Sequence, residues 1–332
     1  MFQLSKITRA AMLCAGVLAA QPSLGAQAAD AAKDYPSKPV RFIVPFAAGA
    51  GTDTTARTLA QKLSDLWGQQ VIADNRTGAA GAIGVDLTAK AIPDGYTICL
   101  ISASHSVNSA VNNKLPYDIV KDLQPISQAS SLFYVVYHNP KLPVNSIKEL
   151  IAYAKANPGK LNFGSSGTGG LQHFAGEMFA HMAGVKLVHV PYKGTAAVIP
   201  AMLAGDVQLG FGTLFGVRPH IPAGRLKVLA ITAGKRSPAV PEYPTVAEAG
   251  LPGYEVDQWY GVLTGAKVPA PIVKKINAGI QEALKSPDVV KRFSSDGSTP
   301  TGGTPQQFGR HLHSEIAKWR KLAKEANLQL TQ

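Results

Sequence analysis

Short apolar runs alternate along this chain with segments in which apolar residues recur every three or four positions. The first run, 40–46, is almost continuously apolar, which is typical of a parallel strand buried on both faces. The small residues 47–51 follow, and they let the backbone bend and approach a ligand closely. A helix is predicted next, with Thr52 or Asp53 as its cap and one apolar face formed by Ala56, Leu59, Ala60, Leu63 and Leu66.

The same alternation continues through the chain and predicts an α/β fold with parallel strands. Residues 123–138, rich in Val, Tyr and Phe, are predicted to form either one long strand or a crossing between domains. We expect two α/β lobes with a ligand cleft between them, lobe 1 formed by 35–132 with 254–332 and lobe 2 by the inserted 133–253. Further strands are predicted at 70–75, 96–102, 161–165, 187–191, 207–212, 226–232 and 254–263, and helices at 81–91, 147–156, 171–183, 196–204, 269–284, from 287 and from 305.

The first 28 residues have the pattern of a cleavable signal peptide, which predicts export to the periplasm. Lys6 and Arg9 precede an apolar core too short to span a bilayer, and a small-x-small cleavage site ends at Ala28. Cleavage would leave Cys99 as the single cysteine, so no internal disulfide is expected. Its apolar surroundings predict a core position.

The net charge changes the functional picture only slightly. The formal charge is +12, or +10 without the two N-terminal cations, and the basic residues are scattered. A nucleic-acid-binding protein would be expected to concentrate them and interleave aromatic residues. The excess therefore predicts a general attraction for anions and no nucleic-acid partner.

Motifs for catalysis, metals and cofactors are weak, so no cofactor and no metal site is predicted. In the Gly164–Gly169 loop, Thr168 occupies the second glycine position of the G-x-S-x-G motif. No P-loop motif occurs, and Phe215 occupies the place of the third glycine in the nearest match to G-x-G-x-x-G. The spacing of His311 and His313 puts them on different faces of a helix, which does not suit zinc.

Several strand-to-helix loops share one composition: small residues, hydroxyls and backbone amides at a helix start. Besides the loop after residue 46, they are 75–81, 102–105 and 164–170. Ligands of open α/β sheets bind at the carboxyl ends of strands, and helix N-termini attract anions. Loops of this kind that converge in one cleft predict a carboxylate-binding site that needs no general base or nucleophile.

The chain also resembles the Bug family, the TctC-type periplasmic solute receptors of tripartite tricarboxylate transporters. The resemblance is carried across the mature chain by segments 35–46, 49–57, 75–81, 93–97, 164–167 with His173, 190–194, 204–208 and 259–262. It implies a Venus-flytrap, type II-like periplasmic binding protein that captures organic carboxylates and delivers them to membrane permease subunits. It also implies carboxylate contacts from main-chain amides and hydroxyls of the first two loops, at Phe46, Ala48, Gly51, Thr52, Asp53, Thr77, Gly78, Ala79 and Ala80.

Further ligand contacts are expected from the other loops, at Ser102, His105, Ser165, Ser166, Thr168, His173 and Tyr192. A capping, loop-holding or packing role is the competing interpretation for each, and for Asp53 a cap is favoured. A monomer is expected. The alternative functions are a periplasmic α/β hydrolase using Ser165 or Ser166, and a ligand-reporting receptor for a signalling partner. Citrate-like, amino-acid, nicotinate-like and aromatic dicarboxylate ligands such as terephthalate all suit the predicted site.

Overall fold

The computed structural model describes residues 33–49, 51–192, 194–295 and 297–326. The predicted signal peptide, 1–28, lies outside these residues. The strands are β1 Val40–Val44, β2 Val71–Asn75, β3 Thr97–Ser102, β4 Leu123–His138, β5 Leu161–Ser165, β6 Leu187–Pro191, β7 Leu209–Thr213, β8 Lys227–Ile231, β9 Asp257–Gly265 and β10 Thr299–Pro300. The helices are α1 Gly51–Trp67, α2 Ala82–Ala89, α3 Ala103–Val111, α4 Ile147–Ala156, α5 Leu171–Ala183, α6 Thr195–Ala204, α7 Leu214–Val217, α8 Ala270–Lys285, α9 Pro287–Ser295 and α10 Pro305–Glu325.

The strands form one continuous sheet that has two halves, in the order β2-β1-β3-β9-β4-β7-β5-β6. β4 runs through both halves, which confirms the long strand as the correct choice at 123–138. Its residues 123–133 pair with β9, and its residues 134–138 pair with β7 and β8. The result is a two-lobe α/β fold in which one strand passes from the first lobe into the second.

The parallel strands predicted from the strand–helix alternation are confirmed, and antiparallel strands join the two parallel sets. β1, β2 and β3 are parallel to one another, and so are β5, β6 and β7. β9 is antiparallel to both β3 and β4, and β4 is antiparallel to β7. The chain enters the second lobe along β4 and returns along β9, so these two strands must run in opposite directions between the parallel sets.

The C-terminal helix joins the lobes through its apolar face. Its start is a capping box in which Thr304 accepts from the Gln307 amide and donates its own amide to the Gln307 side chain. The predicted face, Phe308, Leu312, Ile316, Trp319 and Ala323, is buried. Trp319 also contacts Phe174 of α5, with ring centroids 6.1 Å apart, so this helix packs on the second lobe as well as the first.

Cys99 lies in the core of β3, as predicted. It is fully buried, and burial raises the pKa of its thiol to about 12. A thiol in that state is neither a nucleophile nor a metal ligand at physiological pH. None of the helices among the described residues is both long and apolar enough to cross a membrane.

Candidate functional site

The carboxyl ends of the two parallel strand sets face each other where β4 passes between the lobes. In the first lobe, Ser102 at the end of β3 is paired with Tyr260 near the start of β9. In the second lobe, Thr213 at the end of β7 is paired with Tyr134, the first β4 residue of that half. Both strand ends therefore lie close to the crossing. The loops that follow them are therefore close together, at the carboxyl ends of strands where open α/β sheets bind ligands.

One hydrogen bond joins the lobes directly at this place. The amide of Leu171, the first residue of α5, donates to Oγ of Ser104 at 3.2 Å. Ser104 belongs to the first turn of α3 in the first lobe. The predicted loops at 102–105 and 164–170 are thus brought together.

Asp53 is the centre of a network that holds the first loop. It is 3% exposed and lies within the first turn of α1, which begins at Gly51, so the prediction of Thr52 or Asp53 as the residue preceding the helix is wrong. Its carboxylate accepts from the Gly49 amide at 2.9 Å, from Nδ2 of Asn75 at 2.9 Å and from Nε of Arg57 at 3.0 Å. Burial opposes ionisation, but these hydrogen bonds outweigh it and hold the pKa of Asp53 below its usual value.

The same network connects the first loop to the second. Nδ2 of Asn75, the last residue of β2, also donates to the carbonyl of Phe46, at 2.9 Å. The polar atoms of Asp53 are therefore engaged within the protein, while Ala48 and Gly51 are exposed at the loop surface. A methyl group built on Gly51 would overlap the hydroxyl of Tyr260, so that tyrosine closes the inner side of the loop.

The second loop contains a turn of left-handed backbone. Four consecutive residues have positive φ angles: Gly78 at 125°, Ala79 at 47°, Ala80 at 53° and Gly81 at 92°. For the two alanines this conformation costs about 1–2 kcal/mol each. Strain of this kind is typical of functional sites, and successive amides in such turns form anion-binding concavities. Thr77 to Ala80 are all exposed.

The left-handed turn alters one predicted helix. α2 begins at Ala82, after the turn, and ends at Ala89, so the predicted helix at 81–91 is shorter at both ends. The side chain of Arg76, just before the turn, is held by an acidic residue of β2. Its Nε forms an ion pair with Asp74 at 3.0 Å, which anchors the base of the loop.

His105 lies behind both first-lobe loops. It is fully buried, its ring packs edge-on against Phe46 with centroids 5.3 Å apart, and a methyl group built on Gly81 would lie 2.6 Å from its Nε2. Nδ1 accepts from the Ser102 amide at 3.0 Å, which places the proton of the neutral ring on Nε2. That buried Nε2 has no hydrogen-bond partner among the described residues.

The ring of His105 is neutral across the physiological range. Burial lowers its pKa to about 4, although the hydrogen bond to the Ser102 backbone opposes the shift. An unpaired, buried N–H donor is costly, and native proteins rarely leave one without a purpose. Here Nε2 faces Gly81, the last residue of the left-handed turn.

In the second lobe, two stacked histidines hold the loop after β5. The rings of His173 and His189 lie 3.8 Å apart. Nε2 of His189 is 2.6 Å from Oγ of Ser165, and Nδ1 of His173 accepts from the Gly169 amide at 3.2 Å. The pair therefore contacts both ends of the loop. Burial, and then the neighbouring His173, lower the pKa of His189 to about 3.

The remaining predicted residues of the second lobe differ in accessibility. Ser165 is fully buried, and its hydroxyl is also bonded to the carbonyl and amide of Gly167. Ser166 is half-buried, with its amide donated to Oε1 of Gln172 at 2.8 Å, and Thr168 is exposed. Tyr192 packs its ring against Gly164, on which a methyl group would lie 3.5 Å from Cε2.

Several residues in or next to these strand ends and loops were not predicted from the sequence: Ser104, Gln172, His189 and Phe215. His189 lies inside an apolar strand, where a histidine has no distinguishing pattern. Phe215 follows the end of β7 by two residues, and its position after a strand was the signal that could have identified it. Among the described residues, no group of three His, Cys, Asp or Glu side chains is arranged to hold a metal ion.

The sequence also matches known proteins over most of its length. The family described as "Tripartite tricarboxylate transporter family receptor" (TctC) matches residues 55–328. Protein BugT of Bordetella pertussis is 37% identical over 308 residues, which cover 92% of this chain and 94% of that protein.

Two solved structures with bound organic acids share the fold. R. palustris Rpa4515 with adipate is 36% identical, with a TM-score of 0.81, covering 88% of this chain and 98% of that one. MatC from Rhodopseudomonas palustris with bound malate is 28% identical, with a TM-score of 0.78, covering 87% of this chain and 99% of that one.

Proposed function

The chain belongs to the tripartite tricarboxylate transporter receptor (TctC) family, and on that premise we propose that it is a periplasmic solute-binding protein that captures a small organic carboxylate and delivers it to the permease of a tripartite tricarboxylate transporter. The lobes are 35–132 with 254–332, and 133–253. The change of β4 pairing partners between 133 and 134 supports that boundary. Ligand capture closes the lobes about the β4 crossing, and the protein acts as a monomer.

The observation that carries this proposal is the buried, unpartnered Nε2–H of His105. A carboxylate bound at the left-handed turn would accept that proton together with amides of the turn. The neutral donor suits an anion because it satisfies a carboxylate oxygen and gains a partner for itself. Amides and hydroxyls at Phe46, Ala48, Gly51, Thr52 and the 77–80 turn complete this half of the site, and Asp53 holds its loop in place.

The second lobe supplies the other wall. We assign the hydroxyl of Ser166 and the amide and hydroxyl of Thr168 to the distal part of the ligand, with Ser102, Ser165, His173 and Tyr192 shaping the walls behind them. Ser165 is assigned this indirect role because its hydroxyl is saturated by internal partners.

The hydrolase alternative is wrong, because receptors of this family bind solutes and are not enzymes. Although Ser165 lies 2.6 Å from a histidine nitrogen, it is fully buried and also bonded to its own loop. A nucleophile must reach its substrate, and this hydroxyl does not. A signalling role would use the same cleft with a different partner. Copurification with either permease subunits or a sensor protein separates the two.

The test is a binding panel with adipate, malate, citrate, glutamate, nicotinate and terephthalate, followed by thermal shift and calorimetry. At 100 times its dissociation constant a ligand adds about 2.7 kcal/mol to stability. At least one acid should bind with one-to-one stoichiometry and be recovered unchanged by mass spectrometry. Failure of every acid in the panel would refute the proposal.

The variant His105→Asn tests the role of the donor. Asparagine places an acceptor near the position of Nδ1, so the bond from the Ser102 amide is retained while the Nε2 donor is lost. Loss of a hydrogen bond to a charged group costs about 1.5–3 kcal/mol, so affinity should fall about 10- to 150-fold. The control His313→Asn changes an exposed histidine on α10 and should leave affinity unchanged. Unchanged affinity in His105→Asn would contradict the assignment.

A further inference from the structure

Phe215 is an exposed aromatic side chain in the segment that directly follows β7. β7 ends at Thr213, and Phe215 lies in the short helix α7 that follows directly. β7 is parallel to β5, with Gly210 paired to Gly164, so both strands end at the same edge of the sheet. Phe215 and the loop of Ser166 therefore belong to the same wall.

Phe215 is more exposed than the other phenylalanines of this lobe, of which Phe133 is half-buried and the rest are fully buried. Its side chain is 60% exposed, whereas Phe163, Phe174, Phe179 and Phe211 are at most 1% exposed. Val217, two residues later, is buried and anchors the same short helix. The backbone around Phe215 is thus held by its neighbour, and the ring itself is left at the surface.

A single exposed apolar residue is ordinary on a protein surface, so exposure alone decides nothing. The position of the ring is what gives it significance. Thr213 is paired with Tyr134 at the β4 crossing, so the ring is two residues from the point about which the lobes close. Closure brings the first-lobe loops towards this edge and would remove the ring from water.

The geometry points to Phe215 as a specificity-determining residue that covers the carbon body of the ligand. This inference rests on the proposed function. It assigns to this site carboxylates with an apolar body, whether a methylene chain or an aromatic ring, in preference to short hydroxylated acids. The first-lobe loops and His105 would hold one carboxylate, and the ring would lie against the carbon atoms beyond it.

The experiment measures affinity along the series succinate, glutarate, adipate and suberate, with malate and terephthalate as further probes. Each buried methylene contributes about 0.8 kcal/mol, which is about a fourfold gain in affinity. In the unmodified protein the dissociation constant should fall about fourfold per methylene from succinate to adipate. Malate should bind more weakly than adipate. Terephthalate shows whether a ring replaces the chain.

In Phe215→Ala this dependence on chain length should be lost while succinate affinity stays the same. Phe215→Leu, which keeps an apolar surface, should retain part of it. The control Ile92→Ala removes a more exposed apolar side chain, 76% exposed, in the first lobe and should change neither affinity nor its slope. Urea unfolding midpoints should be unchanged in all three variants, because none of these side chains is buried.

The possible results separate this inference from the proposed function. A chain-length dependence that persists in Phe215→Ala overturns the inference and leaves the proposed function intact. Succinate or malate binding as tightly as adipate in the unmodified protein does the same. Absence of binding by every acid in both panels overturns both.

Discussion

Replacement of Asp53 by asparagine should destabilise the protein by loosening the first two loops together. Oδ1 accepts from Asn75 and Arg57, and Oδ2 accepts from the Gly49 amide and Arg57. An asparagine keeps one oxygen and turns an amide group towards either the Gly49 N–H or the Asn75 amide, both of which are donors. One part-buried donor is then left without an acceptor.

The magnitude follows from these contacts. A buried donor left unsatisfied costs about 1–3 kcal/mol. The ion pair adds about 0–1 kcal/mol, since the Arg57 side chain is 52% exposed and the pair is screened by solvent. The donor here is only part-buried, so its cost lies at the lower end of that range, and we expect Asp53→Asn to lower the free energy of unfolding by about 1–2 kcal/mol at pH 7.

Urea unfolding of the ligand-free protein measures this difference, with Asp65→Asn as the matched control. Asp65 lies on the same helix but is exposed and, among the described residues, accepts only from Gln61, at 3.0 Å, so its replacement should cost less than about 0.5 kcal/mol. The pKa of Asp53 is lowered in the folded protein, so its contribution is present above the unfolded value of 3.8 and is lost as pH falls through the folded value. The difference between Asp53→Asn and the unmodified protein should therefore be constant from pH 5 to 8 and shrink in more acidic solution.

Two results would refute this reasoning. A loss below 0.5 kcal/mol at pH 7 would mean that the network does not stabilise the loops. A variant of normal stability with at least tenfold weaker ligand binding would mean that Asp53 contacts the ligand directly.

Two further predictions concern packing at Gly51 and burial at Asp257. Gly51→Ala should lower the free energy of unfolding in urea by about 1–3 kcal/mol, because its methyl group would overlap the Tyr260 hydroxyl. This cost should largely vanish in the Tyr260→Phe background, where the nearest ring carbon is 3.4 Å away. Equal costs in both backgrounds would exclude that contact as the cause. Burial first, and then Glu255, raise the pKa of Asp257 to about 6. Stability should therefore fall as pH rises from about 4 to about 6. The Asp257→Asn variant should be more stable than the unmodified protein by about 2 kcal/mol at pH 8 and equally stable near pH 4. A pH-independent difference would contradict the second prediction.

The accuracy of the predicted elements varied with how much of each element's stability is local. The strand at 161–165, the helix at 171–183 and the strand at 187–191 have the predicted bounds. Their apolar runs and their Gly boundaries act on neighbouring residues, so the sequence pattern contains the information. The predicted strand at 254–263 begins at Asp257 instead, because its start depends on pairing with Phe133 across the sheet.

Helix α3, Ala103–Val111, was predicted only as a loop that starts a helix. Its Ser and Asn residues are poor helix formers, since their side chains compete for backbone hydrogen bonds. Ala103 and Val107 are fully buried in the same core as Leu312 and Trp319 of α10. Tertiary packing therefore supplies the stability that the local sequence lacks.

The candidate site divides in the same way. The loops that form it were identified from their small residues and hydroxyls, and from a resemblance carried by the same segments. The interpretation of Asp53 as a structural residue agrees with its internal hydrogen bonds. Ligand contact by the individual residues stays a prediction.

The sequence by itself determined the two-lobe α/β fold and the strand-to-helix loops, because strand periodicity, helix caps and small-residue loops are properties of neighbouring residues. Only the tertiary structure decided the left-handed turn at 78–81, since an isolated alanine prefers right-handed backbone. It also decided the unpartnered donor of His105, the stacking of His173 on His189 and the exposure of Phe215. Each of these depends on residues that are distant in sequence, and a fold must bring them together before their chemistry is defined.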